Sequence, residues 1–329
     1  NVYHVVTGSN LGPATLLDGF QIEHGVANSV KEGGGLRLTN ASPVVRNCLF
    51  TLNWGERRGG AVDSVDGSPR FEDSTFVNNF TVQRGAISSR GKRDGTSTPL
   101  LFLRCMIRDN RSQPAGGGFC IDSGRNVVAI NCTLMNNSHS FWEPGKDVQY
   151  GGGAVNVIGS AFTAINCLFV NNRADGYGSA VHSMSGSVQL SNCTIYGGSA
   201  KRGSEPAVFA TGKVRVRVQN SIIWPDDARD VFEMKDGATL DISHCCVRGA
   251  KDLPDVTPLG PRIDGAANGD FRLGEQSKCI DAGKAEYLPP DQFDIDGDGN
   301  TSEPLPLDLN GKPRVAGKGV DFGALEYQP

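Results

Sequence analysis

A repeat constrains this chain more than any other feature. Aligned on an Asn-Cys pair or its equivalent, one column runs through Cys48, Ser74, Cys105, Cys132, Cys167, Cys193, Ser221 and Cys245. The intervals are 26, 31, 27, 35, 26, 28 and 24 residues, a period of about 27 broken by insertions. Two residues later comes an apolar column, Phe50, Phe76, Ile107, Leu134, Phe169 and Ile195. Five residues after the Cys column comes an amide column, Asn53, Asn79, Asn110, Asn137 and Asn172. Ahead of each Cys position sits a Gly-rich turn leading into an apolar residue, as in Gly33-Gly34-Gly35-Leu36, Gly59-Gly60-Ala61-Val62 and Gly152-Gly153-Ala154-Val155.

Each unit therefore holds two or three short strands separated by Gly, Asn or Ser-Pro turns, such as Ser42-Pro43 and Ser68-Pro69. One unit cannot bury a face alone, but stacked copies enclose a continuous interior. The predicted fold is all-β: a right-handed parallel β-helix of about nine coils over residues 1–250, with an irregular C-terminal cap over 251–329. A leucine-rich solenoid lacks its Leu framework here, and a propeller blade needs a longer repeat. Stacking places equivalent residues about 4.8 Å apart, so Leu36, Val62, Ile87, Phe119, Val155, Val181 and Val208 are expected to line the interior. The Asn column is expected at left-handed turn positions, bonding neighbouring backbone. Glycine, 43 of 329 residues, is nearly twice its usual share and supplies the turns.

The net charge of −4 and the absence of a long basic run argue against a nucleic-acid partner. No stretch of 18 apolar residues is present, so no transmembrane segment is expected. Of nine cysteines, six fall in the one column, where a stack of buried free thiols is expected rather than bridges or zinc. A bridge from Cys246 to Cys279 would tie the tail to the last coil, and the residues leave it open.

The Gly-Gly-Ala-Val and Phe-Val-Asn-Asn units resemble the repeats of bacterial right-handed parallel β-helix surface proteins, including the polymorphic outer-membrane type, from about Leu17 to Arg248. Three tail segments, Cys279–Gly283, Asp308–Arg314 and Val320–Tyr327, are similar to the closing region of exported β-helix proteins with a choice-of-anchor C-terminal domain. The resemblance implies an extracellular or cell-surface location. The opening at Leu17–Ile22 is similar to a second coil, which implies that an N-terminal cap and export signal lie outside this chain and that a preceding segment or partner covers the exposed strand edges at that end.

The strongest ligand motif is Asp294-Ile295-Asp296-Gly297-Asp298-Gly299-Asn300, whose alternating oxygens and glycine-enabled turn suit Ca2+. It departs from an EF-hand because Leu305 stands at the twelfth position, so Glu303 or Asp308 is the candidate for the missing ligand. The expected metal set is Asp294, Asp296, Asp298, Asn300 and Glu303, stapling the tail.

Catalytic groups are harder to find. The outward column Arg37, Asp63, Ser88, Cys120, Asn156 and His182 places Asp63 and His182 four coils apart, too far for one proton transfer. Arg37 beside Asp63 reads as a solvated surface pair. Two insertions offer better ground. Residues 138–150 carry His139, Trp142, Lys146 and Tyr150, and residues 89–98 carry Arg93. Folded over one face, they would make a glycan-binding groove, with Lys146 or Arg93 the first base candidates in an enzyme. The leading expectation is a secreted or surface structural or adhesive protein binding a polysaccharide or extracellular protein. Its rivals are a lyase or glycoside hydrolase acting on an acidic glycan, and a subunit of an extracellular assembly joined at the N-terminal end.

Overall fold

The computed structural model describes residues 2–28, 32–91, 98–140, 151–200, 206–226, 230–250, 253 and 255–328. They form a parallel β-solenoid of about eight turns, close to the expected count. Its strands collect into sheets of 15, 10 and 7 strands. Only two short 3-10 turns, Ala266–Asn268 and Ala285–Tyr287, interrupt the β structure among the described residues.

The early coils carry four short strands each, more than the repeat suggested. The second coil has Leu36–Thr39, Val44–Arg46, Leu49–Thr51 and Trp54–Gly55, and the third repeats it at Val62–Val65, Arg70–Glu72, Thr75–Val77 and Phe80–Thr81. From the sixth coil the first two strands fuse into Val155–Ile165, Val181–Ser191 and Val208–Gln219, which removes the corner between them. Successive coils pair in register, as in Leu36↔Val62 and Val62↔Ile87, except for a one-residue shift between Met184 and Gly186 where the seventh coil meets the eighth.

The Cys column marks a sharp corner. The residue before it has a left-handed backbone, with φ of 51° at Asn47, 47° at Asp73, 52° at Asn131 and 48° at Asn220. Asn and Asp tolerate that conformation best among side-chain-bearing residues. Each thiol then donates to the carbonyl two residues back, Cys132 Sγ to Ile130 O at 3.3 Å and Cys193 Sγ to Ser191 O at 3.4 Å. Ser74 and Ser221 make the same bond through Oγ at 2.7 Å, which is why serine interchanges with cysteine here. All nine cysteines are free and buried, Cys246 and Cys279 together in one apolar cluster.

The Asn column corrects one expectation. Its members are not the left-handed residues; the residues just before them are, at Leu52, Asn78, Asp109, Asn136 and Asn171. The column instead forms a buried amide ladder. Asn79 Nδ2 donates to Asn110 Oδ1 at 3.0 Å and to Phe50 O at 2.9 Å, and Asn110 repeats the pattern with Asn137 and Phe76. Beside it Phe50 stacks on Phe76, and Phe71 on Phe102, with ring centroids 4.8 Å apart in both pairs. Each fully buried ring contributes roughly 1.5–3 kcal/mol of hydrophobic stabilisation.

After Val256–Thr257 adds a last strand to the second sheet, the tail runs back along the outside of the solenoid. Phe271, Leu273, Phe322 and Leu325 cover Leu168, Val170 and Ile222. Corner asparagines hold it: Asn131 Nδ2 donates to Asp308 O at 3.0 Å and Asn166 Nδ2 to Leu307 O at 2.6 Å. The tail motifs serve this irregular backbone. Asp308 accepts from the N–H groups of Asn310, Lys312 and Glu326, and Asp281 from those of Lys318 and Gly319. Buried Arg314 lies 3.6 Å from Glu326, whose carboxyl burial pushes up to about 7.

Candidate functional site

The alternation of the first strand row turns Leu36 and Leu38 inward and Arg37 and Thr39 outward. Down the stack one outward column reads Arg37, Asp63, Ser88, Cys120, Asn156 and His182, and its neighbour Val65, Arg90, Asp122, Ile158 and Met184. An outward face would ordinarily be solvated, yet Asp63, Ser88, Cys120, Asn156 and His182 are all fully buried. The cover is the turn that enters each coil. At Gly59, φ is 57° and an added Cβ would lie 2.2 Å from Val62 O, so the turn can press onto the strand only as glycine. The preceding residues, Arg58 and Arg84, pair with each other across coils and reach over the face.

The result is a cluster of four guanidinium groups and three carboxylates. Asp122 Oδ2 accepts from Arg58 Nη1 at 2.5 Å and Arg84 Nη1 at 2.7 Å. Glu32 is bonded by Arg90 and lies 3.5 Å from Arg58 Nε and 3.6 Å from Arg37 Nη2. Asp63 sits beneath them. Its Oδ2 is 3.6 Å from Arg90 Nη2, and neither oxygen has a hydrogen-bond partner. Burial pushes its carboxyl up to about 6 against the pull of Arg90, with the charge of Glu32 adding to the rise. Arg37 and Asp63 are therefore not the solvated pair that the sequence suggested. Burial likewise raises the Cys120 thiol to about 11.

Farther along the column the chemistry turns neutral. His182 Nδ1 and Asn156 Oδ1 are 2.8 Å apart, and Tyr177 stacks on Phe209 with centroids 4.3 Å apart. Burial holds the His182 imidazole down at about 3, so it is uncharged. Asp63 and His182 remain four coils apart, as expected. An open cleft of about 770 Å³ spans the boundary, with Arg58, Arg84 and Asp122 at one end and Ile158, Met184 and Ser185 at the other.

A family model described as the right handed beta helix region matches residues 14–173, which include the charged cluster. The chain is a parallel β-helix repeat protein. No curated protein and no solved structure matches this β-helix. No helix among the described residues is long and apolar enough to cross a membrane.

The expected site residues of the β-helix are dispersed. Trp142, Lys146, Tyr150 and Arg93 lie outside the described residues. His139 is buried rather than displayed on an insertion, because it occupies the inward position of Ser138–His139, in line with Ser112 and Ala174. Burial lowers its imidazole to about 4. At the first coil of the β-helix, Val2, Tyr3, Leu16 and Phe20 are exposed.

The acidic loop is brought together in part. Asp294, Asp296 and Asp298 offer oxygens within 4.8 Å of one another, and Asp296 shares a second such group with Asp291 and Glu303. Asn300 accepts from the Ser302 N–H and hydroxyl. Asp308 falls in neither group and instead accepts from backbone N–H groups. Sequence reasoning missed Glu32, Arg58, Arg84, Asp122 and Asp291. Only the recurrence of Arg58 and Arg84 just ahead of successive Gly turns signalled any of them.

Proposed function

We propose that this β-helix is an exported adhesive or structural protein that binds a linear acidic glycan along the covered face of its first strand row. The observation carrying this reading is the Arg58–Arg84 pair, in register on consecutive coils, lining the cleft and held by one carboxylate oxygen of Asp122. Each guanidinium has five N–H donors, and Asp122 takes one from each. Arg58 Nε faces Glu32 as well, and the donors left on the two guanidiniums suit carboxylate or sulfate groups repeating along an extended chain, which arginine recognises bidentately. The extracellular setting rests on the resemblance of the repeats and tail motifs to exported β-helix proteins.

Affinity electrophoresis through polyuronate, sulfated and neutral polysaccharides tests it. Acidic gels are expected to retard the protein, neutral glucan not, and Arg58→Gln with Arg84→Gln to weaken retardation at least tenfold. Equal migration in all gels at low salt, or unaltered binding by the double variant, would overturn the reading.

One observation favours a second reading, a polysaccharide-acting enzyme: Asp63 has the raised carboxyl of a general acid and lies 3.6 Å from Arg90 in the charged cluster. Its complete burial weighs toward binding, because a proton donor has to reach the glycosidic oxygen. Release of unsaturated or reducing ends from the retained glycan, abolished by Asp63→Asn, would establish catalysis.

A further inference from the structure

The tail loop between the two proline pairs is a hairpin with a closed neck. Asp291 N donates to Glu303 O and Leu305 N to Pro289 O, both at 2.8 Å, and Pro290 bridges Pro304. Beyond the neck, Gly297 and Gly299 take left-handed conformations, and successive Asx contacts curl the chain. Curling alone would not make a ligand site.

The neck adds something independent. Asp291 is completely buried, and its Oδ1 has no hydrogen-bond partner, while Oδ2 accepts from Ile295 N at 2.9 Å. Glu303 Oε1 is also buried and unpartnered. These two carboxylates and Asp296 converge within 4.8 Å, and no cationic side chain is paired with any of them among the described residues. Buried carboxylate oxygens without donors are costly and rare unless a positive charge completes them.

We infer that Asp291, Asp296 and Glu303 bind a divalent cation at the neck of this loop, with Asp294 and Asp298 on the tip side of the shared Asp296. All donors are hard oxygens, and the charge density and irregular loop suit calcium better than the strict octahedron of magnesium. The site closes a strap. Phe293 and Ile295, inside the loop, and Leu305, just beyond it, pack onto Leu101, Leu103, Val128, Ile130 and Ile165, which face outward from the solenoid. The ion thus fastens the tail over an apolar strip of the fourth to sixth coils, whether or not the β-helix binds a glycan elsewhere.

The test is calorimetric titration of the chelator-treated full chain with calcium chloride and magnesium chloride, paired with thermal scans and limited proteolysis. Expected are saturable calcium binding with a Kd of about 1 mM or tighter, weaker magnesium binding, a melting temperature raised by several degrees and slower cleavage within 291–303. Asp291→Asn and Glu303→Gln are expected to weaken binding at least tenfold, and Asp298→Asn less. Glu303→Gln guards against a folding defect at the buried aspartate, and each variant's metal-free circular dichroism spectrum verifies its fold. No heat and no thermal shift with either metal would overturn the inference. Binding kept by both neck variants but lost in Asp298→Asn, or lost equally in all three, would also overturn it.

Discussion

The outer column of the first strand row holds two solutions to one problem. In the second to fifth coils the turns that fold onto it bring Arg58 and Arg84 over Asp63 and Asp122. In the sixth to eighth coils Tyr177 covers a neutral floor of Asn156, His182 and Phe209. Both segments are buried on the same backbone, so backbone geometry did not decide their chemistry. What differs is how far the buried polar groups are satisfied. His182 has a partner for Nδ1 in Asn156 and none for Nε2, whereas neither oxygen of Asp63 has a hydrogen-bond partner and its carboxyl stays raised. Structural economy would favour the neutral solution throughout. Persistence of the charged one marks the segment where ligand chemistry is to be sought.

Asp122→Ala breaks the comparison most severely. Removing it leaves Arg58 and Arg84 without their shared acceptor in a largely covered setting, and chemical denaturation is expected to show a loss of about 4 kcal/mol. Met184→Ala, two coils along the neighbouring column but on the half-exposed neutral side, is expected to lose well under half as much.

Asp63→Asn should do the opposite. The carboxyl binds its proton more tightly folded than unfolded, so stability is greatest below about 4 and falls as pH rises through about 6. The amide removes that penalty, and at pH 8 the variant is expected to gain up to about 3 kcal/mol. A variant no more stable than the parent at pH 8 would show that the arginines fully compensate the buried charge.

His182→Gln sharpens the contrast by its sign. The imidazole binds its proton more weakly folded than unfolded, so its contribution is present above about 6.5 and is lost as pH falls toward 3. Replacing it is expected to cost about 1 kcal/mol at pH 8 through the Asn156 bond and to flatten the acid limb of the melting profile. Asp63→Asn should steepen that same limb, because the two groups oppose each other between about pH 4 and 6.

The solenoid was legible because its period is written in columns: a left-handed corner residue, a thiol or hydroxyl that caps the corner carbonyl, and an amide ladder. The covered face was not. Periodicity says which side of a strand Asp63 occupies, but not that the Gly turn entering a coil folds back over that side. Arg58 and Arg84 lie in such turns, where no alternation predicts side-chain direction. Glu32 and Asp122 come from different coils, and only stacking joins them. The acidic loop shows the same limit, since the alternating Asp294, Asp296 and Asp298 are visible as a motif while Asp291 lies outside it and arrives through the proline-flanked neck.

The amide ladder has one more consequence. From Asn53 to Asn137 each side chain donates to the amide oxygen of the coil after it, with Asn172 the last acceptor, so the five amides point one way and the links between them repeat. A chain built on such a ruler changes length only by whole divisions. Loss or gain of one complete coil restores the same rung, while any fraction of a coil leaves an amide facing no partner in the dry interior. The reach of the charged face along the proposed glycan therefore changes in steps of one coil.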